Sequence, residues 1–164
     1  MPRNLTLVRH AKSSWDDTGL QDFERPLNKR GHKNAPMMGK RLAACGFQVD
    51  TIISSPAVRA LTTASMLATE ISFDPDKILR NHSMYAAGLG TLLEVVTSID
   101  DRFQHAMLVG HNPGFTLLCN HLCGDRIDNM PTCSIARLEF DTDTWKAVAR
   151  QKGRMTDFDY PRKE

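Results

Sequence analysis

Arg9 and His10 are the residues on which chemistry could be built, a guanidinium beside an imidazole directly behind the apolar run Leu5-Thr6-Leu7-Val8. Arg presents planar, paired donors that match phosphate oxygens, and His attacks or shuttles protons near neutral pH. A short run rich in Leu and Val reads as a buried strand. The pair therefore falls at that strand's C-terminal end, where open α/β sheets place their ligand crevices. An isolated Arg-His pair is more often a surface loop, but the same residue types recur at two further strand ends. In Thr51-Ile52-Ile53-Ser54-Ser55-Pro56-Ala57-Val58-Arg59-Ala60 a β-branched strand stops at Ser55-Pro56 and a helix opens near Ala57. Arg59 then lies in a first helical turn, where free N–H groups and the helix dipole favour an anion. In Ala106-Met107-Leu108-Val109-Gly110-His111-Asn112-Pro113-Gly114 an apolar strand ends in Gly and His before a new helix. If the three strands are neighbours, two Arg and two His converge.

Such a set suits phosphoryl transfer. A phosphoryl group carries about −1.5 to −2 charges near pH 7, and its transfer depends on in-line placement and cationic donors around the equatorial oxygens. Arg forks give charge-assisted, bidentate contacts, and a neutral imidazole nitrogen is a nucleophile able to divide hydrolysis into two easier steps. No metal or other cofactor is needed, and the sequence offers no carboxylate cluster for Mg²⁺. Lys12, Ser13 and Asn112 flank these residues and could add phosphate donors. Arg25 could make a further phosphate contact or pair with Asp22 to hold the intervening loop, the second role being favoured.

Four stretches, Leu7-Val8-Arg9-His10-Ala11-Lys12-Ser13, Arg25-Pro26-Leu27-Asn28-Lys29-Arg30-Gly31, Ser54-Ser55-Pro56-Ala57-Val58-Arg59-Ala60 and Val109-Gly110-His111-Asn112-Pro113-Gly114, resemble in order and spacing the motifs of the histidine phosphatase superfamily. Within it the chain is most similar to the SixA-type phosphohistidine phosphatases. The resemblance implies a phosphoglycerate mutase-like fold and His10 as the residue that takes up the phosphoryl group. It also implies Arg9 and Arg59 as the phosphate clamp and His111 as stabiliser of the charge developing on the oxygens.

Larger members of the superfamily bring an acidic residue to protonate an alcohol leaving group. Here the segment Asn81-His82-Ser83-Met84-Tyr85-Ala86-Ala87-Gly88-Leu89-Gly90-Thr91 contains no Asp or Glu. Asp16, Asp17, Asp22 and Glu24 follow His10, but the sequence does not place them. A missing acid matters less when imidazole leaves, because its conjugate acid titrates at about 6.5. The expectation is therefore a phosphatase of protein-bound phosphohistidine, acting on a histidine-phosphorylated partner such as a phosphotransfer domain. The alternatives are a phosphatase of small phosphomonoesters with the same core, and a non-catalytic phosphoprotein-binding module.

The elements that must position these residues alternate. The 164 residues suit one domain spanning 1–164. After the first strand come a polar loop from Ala11 to Leu27, a helix capped by Asn28 and stopped near Gly46, and a strand at Thr51–Ser54. Pro36 is expected to kink the first helix. A helix from Ala57 to Ile71, part of one at Leu92–Ser98, a strand at Ala106–Gly110 and a helix at Pro113–Cys123 follow. Ser134–Phe140 and Thr144–Gln151 read as two strands joined at Asp141-Thr142-Asp143. Strand–helix alternation implies a three-layer α/β/α sandwich, its central sheet mostly parallel with an antiparallel edge.

Net charge is +2, from 21 Lys and Arg against 19 Asp and Glu, which gives no case for nucleic acid. The basic residues Arg150, Lys152, Arg154, Arg162 and Lys163 read as a solvated tail. No apolar stretch reaches the roughly 18 residues that would span a bilayer, and Met1-Pro2-Arg3-Asn4 has no signal-peptide core. A cytoplasmic monomer with its four Cys as thiols is expected. His32 and His105 are expected at the surface, His121 near a helix end and His82 beside the site. Trp15, in the long loop, is either a hydrophobic plug or an anchor for a partner.

Overall fold

The computed structural model describes residues 1–124 and 126–163. Strand β1 (Arg3–Arg9) leads through a long loop to helix α1 (Lys29–Ala44) and strand β2 (Thr51–Ser54). Helix α2 (Val58–Glu70), strand β3 (Leu79–Arg80), helix α3 (Leu89–Thr97), strand β4 (His105–Gly110) and helix α4 (Gly114–Leu122) follow. Strands β5 (Ile135–Phe140) and β6 (Arg154–Asp159) close the chain. The sheet order is β3-β2-β4-β1-β5-β6. β1 and β4, β2 and β4, and β2 and β3 pair in parallel, whereas β5 pairs antiparallel with β1 and β6 with β5.

Alternating side chains send each central strand's residues to opposite faces. Leu5 and Leu7 of β1, with Ala106 and Leu108 of β4, pack under α3 and α4 around Phe115, Leu118 and Trp145. Val8, Met107, Val109 and Ile52 pack on the other face against Ala35 and Met38 of α1 and Leu67 of α2. The result is the expected three-layer α/β/α sandwich with an antiparallel edge. Because both faces of β1, β2 and β4 are buried, their C-terminal ends form a stiff platform.

Asn28 caps α1 by accepting the Gly31 N–H at 2.9 Å. Gly46, at φ +72°, lies just beyond the helix in the left-handed region that a residue without Cβ enters freely. α1 continues through Pro36 to Ala44. Thr144–Gln151 is not a strand. Its Trp145 is fully buried, and a short 3₁₀ turn runs over Lys146–Arg150. The partner of β5 is instead β6, where Arg154 pairs with Glu139 at 2.7 Å. Trp145 and Val148, three apart, fall on one side of the 3₁₀ turn and pack into the core on the α3 side of the sheet. β3, only two exposed residues long, carries no hydrophobic pattern from which it could be read. His105 is half-buried against the Phe47 ring at 5.6 Å rather than at the surface, and its burial lowers its pKa.

Candidate active site

The parallel register places the expected residues together. Arg9 ends β1 opposite Gly110 of β4, and the His10 N–H continues the ladder by donating to the Gly110 carbonyl at 3.0 Å. β2 lies on the other side of β4, so α2 begins beside His111. The Thr63 hydroxyl ties these pieces together, accepting the Ala11 N–H at 2.9 Å and donating to the Arg59 carbonyl at 2.8 Å. Gly110 allows α4 to approach, since a Cβ there would lie 2.6 Å from the Phe115 ring.

His10 is 8% exposed. Its Nδ1 lies 2.7 Å from the Ala11 carbonyl, which can only accept, so Nδ1 carries the proton and Nε2 keeps its lone pair. Burial above all, then the charges of His111, Arg59 and Arg9, pull its pKa down to about 3 against the opposing bond to Ala11. Burial likewise draws His111 down to about 4, with Arg59 and Arg9 adding to the effect and Asp22 opposing it. Both rings, 5.2 Å apart between centroids, are neutral near pH 7. His111 Nε2 is 2.7 Å from Ser55 Oγ, while its buried Nδ1 has no partner among the described residues. Ser55 Oγ already accepts the Ala57 N–H at 3.3 Å. With one donor and a second lone pair, the hydroxyl can serve Nε2 in either role; when it donates, the hydrogen sits on Nδ1 as a free donor.

Arg9 donates through Nη1 to the Met130 carbonyl at 2.8 Å, and its buried Nε is unpartnered. Burial lowers its pKa, but a guanidinium remains charged at any ordinary pH. Arg59 behaves differently, with Nη1 donating to the Asp22 carbonyl at 2.6 Å and Nη2 to Asp22 Oδ2 at 2.9 Å. The same Oδ2 accepts the Tyr85 hydroxyl at 2.6 Å, and Oδ1 accepts Arg25 Nη1 at 2.8 Å. These donors, Tyr85 first, hold the Asp22 carboxyl well below the usual carboxylate range, and Asp22 in turn raises the Tyr85 pKa.

A cavity of about 170 Å³ opens at this point, lined by Arg9, His10, Lys12, Ser13, Trp15, Arg25, Arg59 and Thr132. Lys12 is exposed on its rim. Buried Ser13 accepts from Arg25 Nη2, and Arg25 Nε donates to the Ser14 carbonyl at 3.0 Å. Arg25 thus holds the loop through Asp22, Ser13 and Ser14 while still facing the cavity. Asn112 is absent from that lining. Its Nδ2 donates to Asn129 Oδ1 at 2.8 Å and the Met130 carbonyl at 3.0 Å, and its Oδ1 accepts from Thr116 N at 3.1 Å and Thr116 Oγ1 at 2.9 Å. Its amide therefore braces the segment that contacts Arg9.

The favoured Arg25–Asp22 pair forms, but the bonds of Asp22 to Arg59 and Tyr85, and the part of Ser55, are what sequence reasoning did not assign. Tyr85 arrives from a distant turn that no spacing announces. Trp15 is 70% exposed, so it is not a plug. Among the described residues no group of three or more His, Cys, Asp and Glu is arranged to hold a metal ion. No helix among them is long and apolar enough to cross a membrane.

A nucleophile-ready imidazole, a second neutral imidazole and two guanidiniums at the C-terminal edge of a mostly parallel sheet define a phosphate-handling α/β protein. The sequence profile of the histidine phosphatase superfamily (branch 1) matches residues 5–87, and the chain belongs to that superfamily. It is 32% identical over 159 residues to an uncharacterized chloroplastic protein of Arabidopsis thaliana, covering 92% of this chain and 72% of that one. It is 39% identical over 77 residues to the mitochondrial serine/threonine-protein phosphatase Pgam5 of Drosophila ananassae, covering 47% of this chain and 26% of that one. A SixA protein of Agrobacterium tumefaciens, structurally described as a candidate phosphohistidine phosphatase, superimposes with a TM-score of 0.83 at 29% identity over 98% of this chain and 99% of that one. The fold and family support phosphatase activity.

Proposed function

We propose that the chain hydrolyses phosphohistidine on a protein through a covalent phosphoryl intermediate on His10. In the first step the Nε2 lone pair of His10 attacks phosphorus, and the phosphorus–nitrogen bond of the substrate breaks. The departing imidazole takes that electron pair and leaves neutral, its other nitrogen carrying a proton. In the second step water attacks phosphorus, its proton passes to solvent, and His10 is released with inorganic phosphate. Arg9, with an unpartnered Nε, and Arg59 hold the phosphoryl oxygens, and His111 donates through Nδ1 to the charge that builds on them. Lys12, on the rim, adds positive charge. Ser13 and Arg25 act by fixing the loop, and Asn112 by bracing the segment behind Arg9.

The observation that carries the choice of substrate is the state of Asp22. It is the carboxyl bonded to Arg59, yet Tyr85, Arg59 and Arg25 hold it ionised. An alkoxide leaving group needs a protonated acid, whereas imidazole leaves with a proton that water can supply at neutral pH. The likeness to the SixA protein points the same way.

The test is phosphate release from a histidine-phosphorylated transfer domain, set beside phenyl phosphate, for the parent and His10→Ala. Faster release from the protein than from the ester, and loss of at least about a thousandfold in the variant, are expected. Preference for the ester would move the assignment to phosphomonoesters, the class of the serine/threonine phosphatase relative. Parent-level turnover in His10→Ala would overturn the nucleophile.

A further inference from the structure

Trp15 is out of place by the ordinary logic of burial. The chain has two Trp. Trp145 is fully buried and donates its indole N–H to the Phe103 carbonyl at 2.7 Å. Trp15 is 70% exposed, yet it lines the same cavity as His10 and Arg59. One face of its ring is covered by the Arg25 guanidinium, whose Cζ lies 3.2 Å from the ring centroid. Arg25 is itself fixed by Asp22, Ser13 and Ser14, so the indole is held by a cation whose position is set on three sides. With 70% of the residue still exposed, much of the ring beyond the Arg25 stack meets solvent. The other aromatic residues at the mouth are already engaged. Tyr85 meets Phe23 edge-on at 5.2 Å and His111 at 5.7 Å, and its hydroxyl is bound to Asp22.

We infer that Trp15 is a specificity-determining residue, whose open face stacks on a planar aromatic leaving group. This deepens the phosphohistidine reading and rests on it, because the group that leaves in that reaction is an imidazole ring. A phosphoryl group seated between Arg9 and Arg59 carries its leaving group out toward the rim, where Trp15 offers a flat π surface. Aromatic rings favour offset stacking at such a surface. Two χ angles already fixed by the Arg25 stack reduce the entropy lost on contact. An alkyl leaving group covers less of the indole and gains less. The preference is therefore for the ring that leaves, independent of the protein that carries it.

The test compares the parent, Trp15→Leu and Trp15→Phe on three small substrates: N-phosphoimidazole, phenyl phosphate and acetyl phosphate, whose ring-free acetate leaves without an acid. Trp15→Leu is expected to lose about tenfold in kcat/KM on the two ring-bearing substrates. It should stay within about twofold on acetyl phosphate, and Trp15→Phe should recover part of the loss. Equal loss on all three substrates would make Trp15 a structural support for Arg25 and overturn the inference, as would no loss on any. The phosphohistidine reading fails separately, if the parent hydrolyses phenyl phosphate but not N-phosphoimidazole. The stacking claim is then decided by phenyl phosphate against acetyl phosphate alone. A second readout needs no turnover. Trp15 is the exposed fluorophore, and benzylphosphonate should quench its emission in the parent more than methylphosphonate does. Equal quenching by the two would also contradict stacking.

Discussion

His10, Arg9 and His111 leave the ends of parallel strands buried on both faces, whereas Ser13, Trp15, Asp22 and Arg25 ride on the loop between β1 and α1. The first group is positioned by the sheet ladder: the His10 N–H bonds to Gly110, and the Arg9 N–H bonds to Ser134 at 3.2 Å. The second group is positioned by bonds within the loop. The Ser14 N–H reaches Pro26 at 2.8 Å, the Asn28 N–H reaches Lys12 at 3.0 Å, and Arg25 joins Asp22 to Ser13 and Ser14. Arg59 stands between the two groups, rooted in α2 but with its guanidinium on loop-borne Asp22. The strand-held half leaves donors and a lone pair unspent, while the loop-held half satisfies its own charges. On the proposed function, reactivity belongs to the rigid half, while the loop supplies the carboxylate that competes for Arg59 and the residues that border the cavity.

The division can be tested at Arg59, where the halves meet. Arg59→Ala should cost about 10²- to 10³-fold in kcat/KM, the scale for one preorganised charged donor. Steady-state kinetics on the phosphohistidine substrate reads it directly, and an unchanged kcat/KM would mean that Arg59 serves only to hold Asp22.

A second prediction separates the halves by pH. His10 and His111 titrate near 3 and 4 when folded, below the value of about 6.5 expected in the unfolded chain. Between those limits the unfolded chain binds more protons, so stability rises with pH there. Their contribution is complete above about pH 6.5 and is lost as pH falls through 4 toward 3. Asp22, whose folded pKa is depressed, also stabilises above its unfolded pKa and loses that contribution toward lower pH. Denaturant midpoints from pH 7 to 4 should therefore fall for the parent and less steeply for His10→Ala. Parallel curves would place the His10 pKa near its ordinary value. Inorganic phosphate should raise both His pKa values, because a nearby anion favours the charged ring, and imidazole NMR titration follows this.

The smallest expected effect sharpens the loop's part. Asp22→Asn removes the carboxylate that occupies Arg59 and should tighten inorganic phosphate by about two- to fivefold, the scale of a partly solvated charge interaction. Calorimetry reports this; weaker binding would make Asp22 an orienter of Arg59 rather than its competitor.

How much of this was legible in the sequence follows from where the forces are local. The runs Leu5–Val8, Thr51–Ser54 and Ala106–Gly110, the Asn28 cap and the Gly46 stop carry their own patterns, so the platform and the strand ends under Arg9, His10, Arg59 and His111 could be read directly. β6 could not, because its residues Arg154–Asp159 alternate weakly, and Trp145 and Val148 of Thr144–Gln151 are buried at the spacing of three that suits the turn found there. The Asp22–Tyr85 bond spans 63 positions and depends on how a loop folds over the sheet. No local spacing encodes that, and the acid nearest the site was therefore visible as a residue but not as an ionised partner of Arg59.

The central claim is that His10 carries the phosphoryl group in turnover. Rapid mixing with a ³²P-labelled histidine-phosphorylated transfer domain, quenched in alkali and mapped by peptide mass spectrometry, tests it most directly. The account predicts an acid-labile, alkali-stable phosphoryl group on His10, absent from His10→Ala. Undiminished turnover with no label on the chain, or label on a residue other than His10, would contradict it.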